Sequence, residues 1–91
     1  MKKMLLGLAL AVGSIASASA GEVCNVSSSY VNVRSGPSAI DYGVIDRLGN
    51  GRYVNVIGST YNAAGYRWVK VVYNSDFGRN VGWIDSDNIC E

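Results

Sequence analysis

The sequence predicts an all-β fold, a small antiparallel sandwich or barrel. Three observations carry this expectation. Beyond residue 20 no long helical period appears; short runs rich in Val, Ile, Tyr and Trp alternate with clusters of Gly, Asn, Asp and Ser. The first twenty residues read as a secretory leader, with Lys2 and Lys3 in front, an apolar run Met4–Val12, and a small-x-small site at Ala18-Ser19-Ala20. The folding part then runs from Gly21 to Glu91, 91 − 20 = 71 residues, a size at which one core barely offsets the entropy of ordering the chain. Finally, Cys24 and Cys90 stand at its two ends. Export carries them into an oxidising compartment, so they read as a single disulfide that makes the first and last segments neighbours.

Each element follows from local pattern. Cys24–Val26 is a short edge segment. Tyr30–Arg34 alternates, with Val31 and Val33 inward and Asn32 and Arg34 outward. Ser35-Gly36-Pro37-Ser38 breaks that strand, and Ala39–Gly43 is a loop carrying Tyr42. Val44–Leu48 is the second strand of the pattern. Gly49-Asn50-Gly51 turns the chain into Arg52–Ile57, whose Val54 and Val56 face inward. Ser59–Gly65 is a polar loop with Tyr61 in it. Tyr66–Tyr73 is the longest strand, with Val69 and Val71 on one face and Trp68 and Lys70 on the other. Asn74–Asn80 is a second long loop, holding Phe77. Val81–Ile84 is the last full strand, Asp85–Asn88 a helical or 3₁₀ turn, and Ile89 plugs the barrel end beside Cys90.

Composition excludes several functions. Without Lys2 and Lys3 the chain carries 6 basic and 7 acidic residues, a net charge of −1, which gives no electrostatic footprint for nucleic acid. No apolar run after Ala20 approaches the ~18 residues of a membrane span. A lipid anchor on Cys24 is disfavoured by the charge of Glu22 two residues before it. The chain has no histidine, so the commonest general base and metal ligand is missing. The carboxylates Asp41, Asp46, Asp85 and Asp87 sit in turn-rich stretches, where Asp bonds nearby backbone N–H groups. Asp85-Ser86-Asp87 begins like a calcium loop but lacks its glycine and distal glutamate. The sequence therefore predicts neither a catalytic centre, a metal site nor a cofactor.

The aromatics are the candidate chemistry. Nine of them, Tyr30, Tyr42, Tyr53, Tyr61, Tyr66, Trp68, Tyr73, Phe77 and Trp83, all lie beyond residue 20, more than so small a core uses. Exposed aromatics bring large contact area at little entropic cost. Trp68 lies opposite the valine face and is a groove candidate, with Tyr66 beside it. Tyr61 and Phe77 are candidates in the two long loops, whereas Trp83 reads as cover for the barrel end. Arg34, Arg67 and Lys70 offer charge to ligand carboxylates.

The run Val31-Asn32-Val33-Arg34-Ser35-Gly36-Pro37-Ser38 resembles the opening signature of bacterial SH3-like domains. Val44-Ile45, Leu48 with its glycine turn, Val54–Gly58, Trp68-Val69-Lys70-Val71 and Gly82-Trp83-Ile84 with Ile89 follow in the family's order. The likeness covers Tyr30–Ile89. Ser59–Tyr66 and Asn74–Val81 are longer than their family counterparts, and the terminal cysteines lie outside the family pattern. The resemblance implies an SH3-like five-stranded antiparallel barrel that binds rather than catalyses. It also implies that the Tyr42 loop faces Trp68, and that the ligand is a cell-wall peptide. Two functional expectations result for a periplasmic or secreted domain. One is a peptidoglycan-peptide module using Tyr42, Trp68, Tyr66, Tyr61, Phe77 and Arg34. The other is an inhibitor or immunity-type protein that binds a periplasmic or secreted protein, such as a wall hydrolase, through its two long loops.

Overall fold

The computed structural model describes residues 18–91. The expected leader falls mostly outside the described residues, which include only Ala18, Ser19 and Ala20 of it. Seven strands form one curled, antiparallel sheet, a half-barrel. They are β1 (Ser19–Val23), β2 (Tyr30–Arg34), β3 (Val44–Gly49), β4 (Tyr53–Tyr61), β5 (Arg67–Ser75), β6 (Gly78–Asp85) and β7 (Ile89–Cys90), with a 3₁₀ turn at Ser86–Asn88 before β7. The spatial order is β3-β2-β6-β5-β4-β1-β7. The five strands expected from the sequence are β2 to β6.

The inward faces are those the alternation predicts. Val31 and Val33 of β2, Leu48 of β3, Val54 and Val56 of β4, Val69, Val71 and Tyr73 of β5 and Ile84 of β6 form the core with Val23 and Ile89. Nearly all are β-branched or aromatic, the side chains that fill a pleated, half-buried surface best. β2 and β6 share a single paired position, Arg34 opposite Trp83. Gly82 makes that approach possible. A Cβ there would lie 2.3 Å from Val33 Cγ1 and 3.3 Å from the Arg34 carbonyl oxygen, so any side chain would push β2 off β6.

The chain ends add two strands to the expected five. The short edge segment expected at Cys24–Val26 is replaced by a strand just ahead of it, Ser19–Val23, which lies inside the sheet between β4 and β7. β1 pairs with β4 from Ser19 opposite Val56 to Glu22 opposite Tyr53. Its last residues pair with β7, Glu22 opposite Cys90 and Val23 opposite Ile89. Cys24 and Cys90 are disulfide-bonded with Cα atoms 5.8 Å apart.

Both expected long loops are strands joined by tight turns. Ser59, Thr60 and Tyr61 extend β4 and pair with Val69, Trp68 and Arg67. All three are exposed, so the stretch has no buried face and shows no alternation in its sequence. The chain reverses within Asn62–Tyr66, where the Asn62 side chain accepts the N–H groups of Ala64 and Tyr66, each at 3.1 Å. Asn74 and Ser75 extend β5 and pair with Arg79 and Gly78 of β6. Only Asp76 and Phe77 form that turn, pinned by the Ser75 hydroxyl, which accepts from the Phe77 N–H at 3.2 Å.

Candidate functional site

The β2–β3 loop and the β4–β5 turn rise on the same side of the sheet and enclose a cleft of about 430 Å³. One wall is Ser38, Ala39, Ile40 and Asp41; the other is Asn62, Ala63, Ala64 and Tyr66. Its floor is Trp68 and Asp85, opposite each other across β5 and β6. Trp68 points away from the valine core, yet it is only 5% exposed, because the two walls stand over it. A shallower hollow of about 170 Å³ adjoins, lined by Val31, Asn32, Arg34, Ala39, Trp68, Asp85 and Asn88. Trp68, Ala39 and Asp85 are common to both.

The loop wall is fixed by its own sequence. Ser35 N–H donates to the Gly43 carbonyl at 3.1 Å and closes the loop's base. Arg34 Nη1 donates to the Tyr42 carbonyl at 2.9 Å. The buried Ser38 hydroxyl accepts from Ile40 and Asp41 N–H at 3.1 and 3.2 Å and donates to Asp41 Oδ2 at 3.3 Å. The Tyr42 ring lies on Gly36, where a Cβ would sit 2.5 Å from three ring atoms. The Gly-Pro signature thus serves to seat an aromatic ring against the backbone.

The structure brings Tyr66 and Trp68 together in the cleft and sets Arg34 in the adjoining hollow, its guanidinium bound to the loop backbone. Tyr42 lies outside the cleft lining, on Gly36. Tyr61 is 70% exposed at the end of β4 and does not line the cleft. Phe77 is fully exposed at the other end of β5, nine positions or roughly 30 Å of strand from Trp68. Of the other cations, Arg67 lies 3.9 Å from Glu91, and Lys70 is half-buried beside Trp83 on the sheet. Sequence reasoning did not single out Ile40, Asn62, Ala63 or Ala64. It read Asp41 and Asp85 as turn residues, which they also are: Asp85 Oδ1 accepts the Asp87 N–H at 3.0 Å.

The opposite end of the sheet holds a polar network. Tyr73, 4% exposed, donates its hydroxyl to Asp46 Oδ2 at 2.8 Å. Burial and this bond push the Tyr73 phenol up to about 12. The same bond, with the Arg47 N–H, holds the Asp46 carboxyl below its usual range. At neutral pH the phenol therefore keeps its proton and the carboxylate stays ionised, and the bond between them braces β3 against β5. A hollow of about 400 Å³ at this end is walled partly by Ala20 and Gly21. The Trp68 cleft, by contrast, is lined wholly by residues between β2 and the end of β6.

A family model for the bacterial SH3 domain matches residues 29–89, about two thirds of the chain. No curated protein and no solved structure gives a significant match.

Proposed function

Because the chain belongs to the bacterial SH3 domain family, whose members are binding modules often associated with the cell wall, we propose that it is an exported, non-catalytic module that holds a peptidoglycan peptide in the Trp68 cleft. In this reading the leader of residues 1–20 is removed and residues 21–91 act in the periplasm or outside the cell. The disulfide supports export. The observation that carries the reading is the cleft itself: concave, bounded by a braced loop and a pinned turn, and floored by an aromatic ring.

Co-sedimentation of the oxidised protein with purified sacculi tests it. Tyr66 and Ile40 are 63% and 92% exposed, so Tyr66→Ala and Ile40→Ala remove cleft contacts without opening the core. Binding by the native protein and loss of most of it in Tyr66→Ala is the expected result. Sedimentation unchanged in both variants would remove the cleft from the function.

The second reading, an inhibitor-type protein, draws on Phe77. A fully exposed aromatic on a two-residue turn is pre-organised to enter a protein pocket. Here the expected result is a one-to-one complex with a secreted protein that Phe77→Ala dissolves and Tyr66→Ala leaves intact.

A further inference from the structure

We propose that the Trp68 cleft recognises its peptide through a primary ammonium group, a lysine-type side chain or a chain N-terminus. The inference rests on the cleft being the binding site and names the chemistry of the group it takes.

Among the described residues, the charged side chains that line the cleft are Asp41 and Asp85, and neither stands in an ion pair. Each carboxylate has one local donor, the Ser38 hydroxyl for Asp41 and the Asp87 N–H for Asp85. An ionised carboxylate offers about four lone-pair sites, so both keep acceptor capacity toward the cleft. In the adjoining hollow Asn32 Oδ1 is buried without a hydrogen-bond partner, a further acceptor in want of a donor. The cation of that hollow, Arg34, directs Nη1 to the Tyr42 carbonyl. A carboxylate ligand in the cleft would meet two carboxylates and no cation, since Arg34 stands in the adjoining hollow and not in the cleft lining. An ammonium carries three donors and no acceptor, the complement of this set. The exposed Tyr66 presents ring surface, which attracts a cation, and Ile40, Ala63 and Ala64 suit the methylene stem behind it.

The test is an NMR titration of the oxidised protein with the peptide acetyl-Gly-Lys-Gly-amide and with the same peptide acetylated on its lysine. The free amine should give saturable shifts at the amides of Ile40, Asp41 and Ala63–Tyr66. Acetylation should weaken the apparent affinity about tenfold or more, the weight of one charge-assisted hydrogen bond. Asp85→Asn and Asp41→Asn should each weaken it several-fold while the spectra stay native, because asparagine keeps the acceptor that Asp87 and Ser38 use. Equal shifts with both peptides, or none at these amides at millimolar peptide, would overturn the inference. Sacculi treated with acetic anhydride separate this result from the proposed function. Equal sedimentation with native and acetylated sacculi would refute the ammonium and leave the wall-binding reading standing. Sedimentation with neither would refute wall binding, and the peptide titration would still decide the ammonium.

Discussion

Reducing the disulfide perturbs the unfolded chain far more than the folded one, and its cost follows from the topology. Cys24 and Cys90 are 66 residues apart in sequence. For a loop of that length the chain-entropy relation gives about 4 kcal/mol at room temperature. In the folded state the same ends are held independently. Glu22 and Val23 pair with Cys90 and Ile89, and the Cys24 N–H donates to the Asn88 carbonyl at 2.9 Å. The native sheet should therefore survive reduction, with its stability lowered. A domain of this size has roughly 4–11 kcal/mol in total, so the crosslink accounts for a large fraction. At about 4–8 °C per kcal/mol, the melting temperature should fall by roughly 15–30 °C. Urea unfolding followed by circular dichroism, with and without reductant, measures this directly. The midpoint should drop, and the denaturant dependence should steepen as the freed chain expands. The double variant Cys24→Ser, Cys90→Ser should match the reduced protein. A loss below about 1 kcal/mol would refute the argument, because it would mean that the unfolded chain already keeps its ends together.

Other perturbations probe the packing and the polar network. Gly82→Ala forces a methyl against Val33 and the β2 backbone and should cost about 1–3 kcal/mol; an unchanged urea midpoint would contradict the crossing geometry. Gly36→Ala evicts the Tyr42 ring and should weaken cleft binding, and in a Tyr42→Ala background the same substitution should have little further effect, a coupling that a double-mutant cycle detects. Tyr73 keeps its proton to about pH 12 when folded against a usual value of 10.0. Between these values the folded state binds more protons than the unfolded, so stability should fall as pH rises from 10 toward 12. Tyr73→Phe should flatten that slope in alkaline urea titrations. Asp46 is depressed in the folded state, so its contribution should be lost as pH falls through the acid range below its ordinary value of 3.8, and Asp46→Asn should remove it.

The sequence revealed the parts of this molecule that are half-buried. Wherever one face of a strand meets the core, alternation names the inward residues, as with Val31 and Val33 or Val69 and Val71. The signal disappears where neither face is covered. Ser59–Tyr61 is exposed throughout, so nothing in its pattern distinguishes strand from loop, and cross-strand pairing alone makes it strand. The site divides the same way. Trp68 was visible as the outward aromatic of the longest strand. The walls were not, because Ile40, Ala63 and Ala64 are small or apolar residues in turns, and only the curl of the sheet brings them over the Trp68 ring.

Converting both expected loops into pinned hairpins changes how binding should work. A flexible seven-residue loop loses conformational entropy when it closes on a ligand, and that loss is subtracted from affinity. The turn at Asn62–Tyr66 has already lost it, through the two bonds to the Asn62 side chain. The facing loop is likewise closed at its base by Ser35 and Gly43 and braced by Arg34 and Ser38. Both walls of the cleft therefore hold their spacing before any ligand arrives, and a ligand must fit a gap fixed by the fold. Asn62→Ala removes the acceptor of the Ala64 and Tyr66 N–H groups while keeping the Tyr66 and Trp68 side chains. Asn62 also lines the cleft, but the main effect should be the loosening of one wall, so most of the loss should appear as a less favourable binding entropy in calorimetry, with the enthalpy changed less. Equal affinity in that variant would show that the ligand, and not the turn, sets the geometry of the cleft.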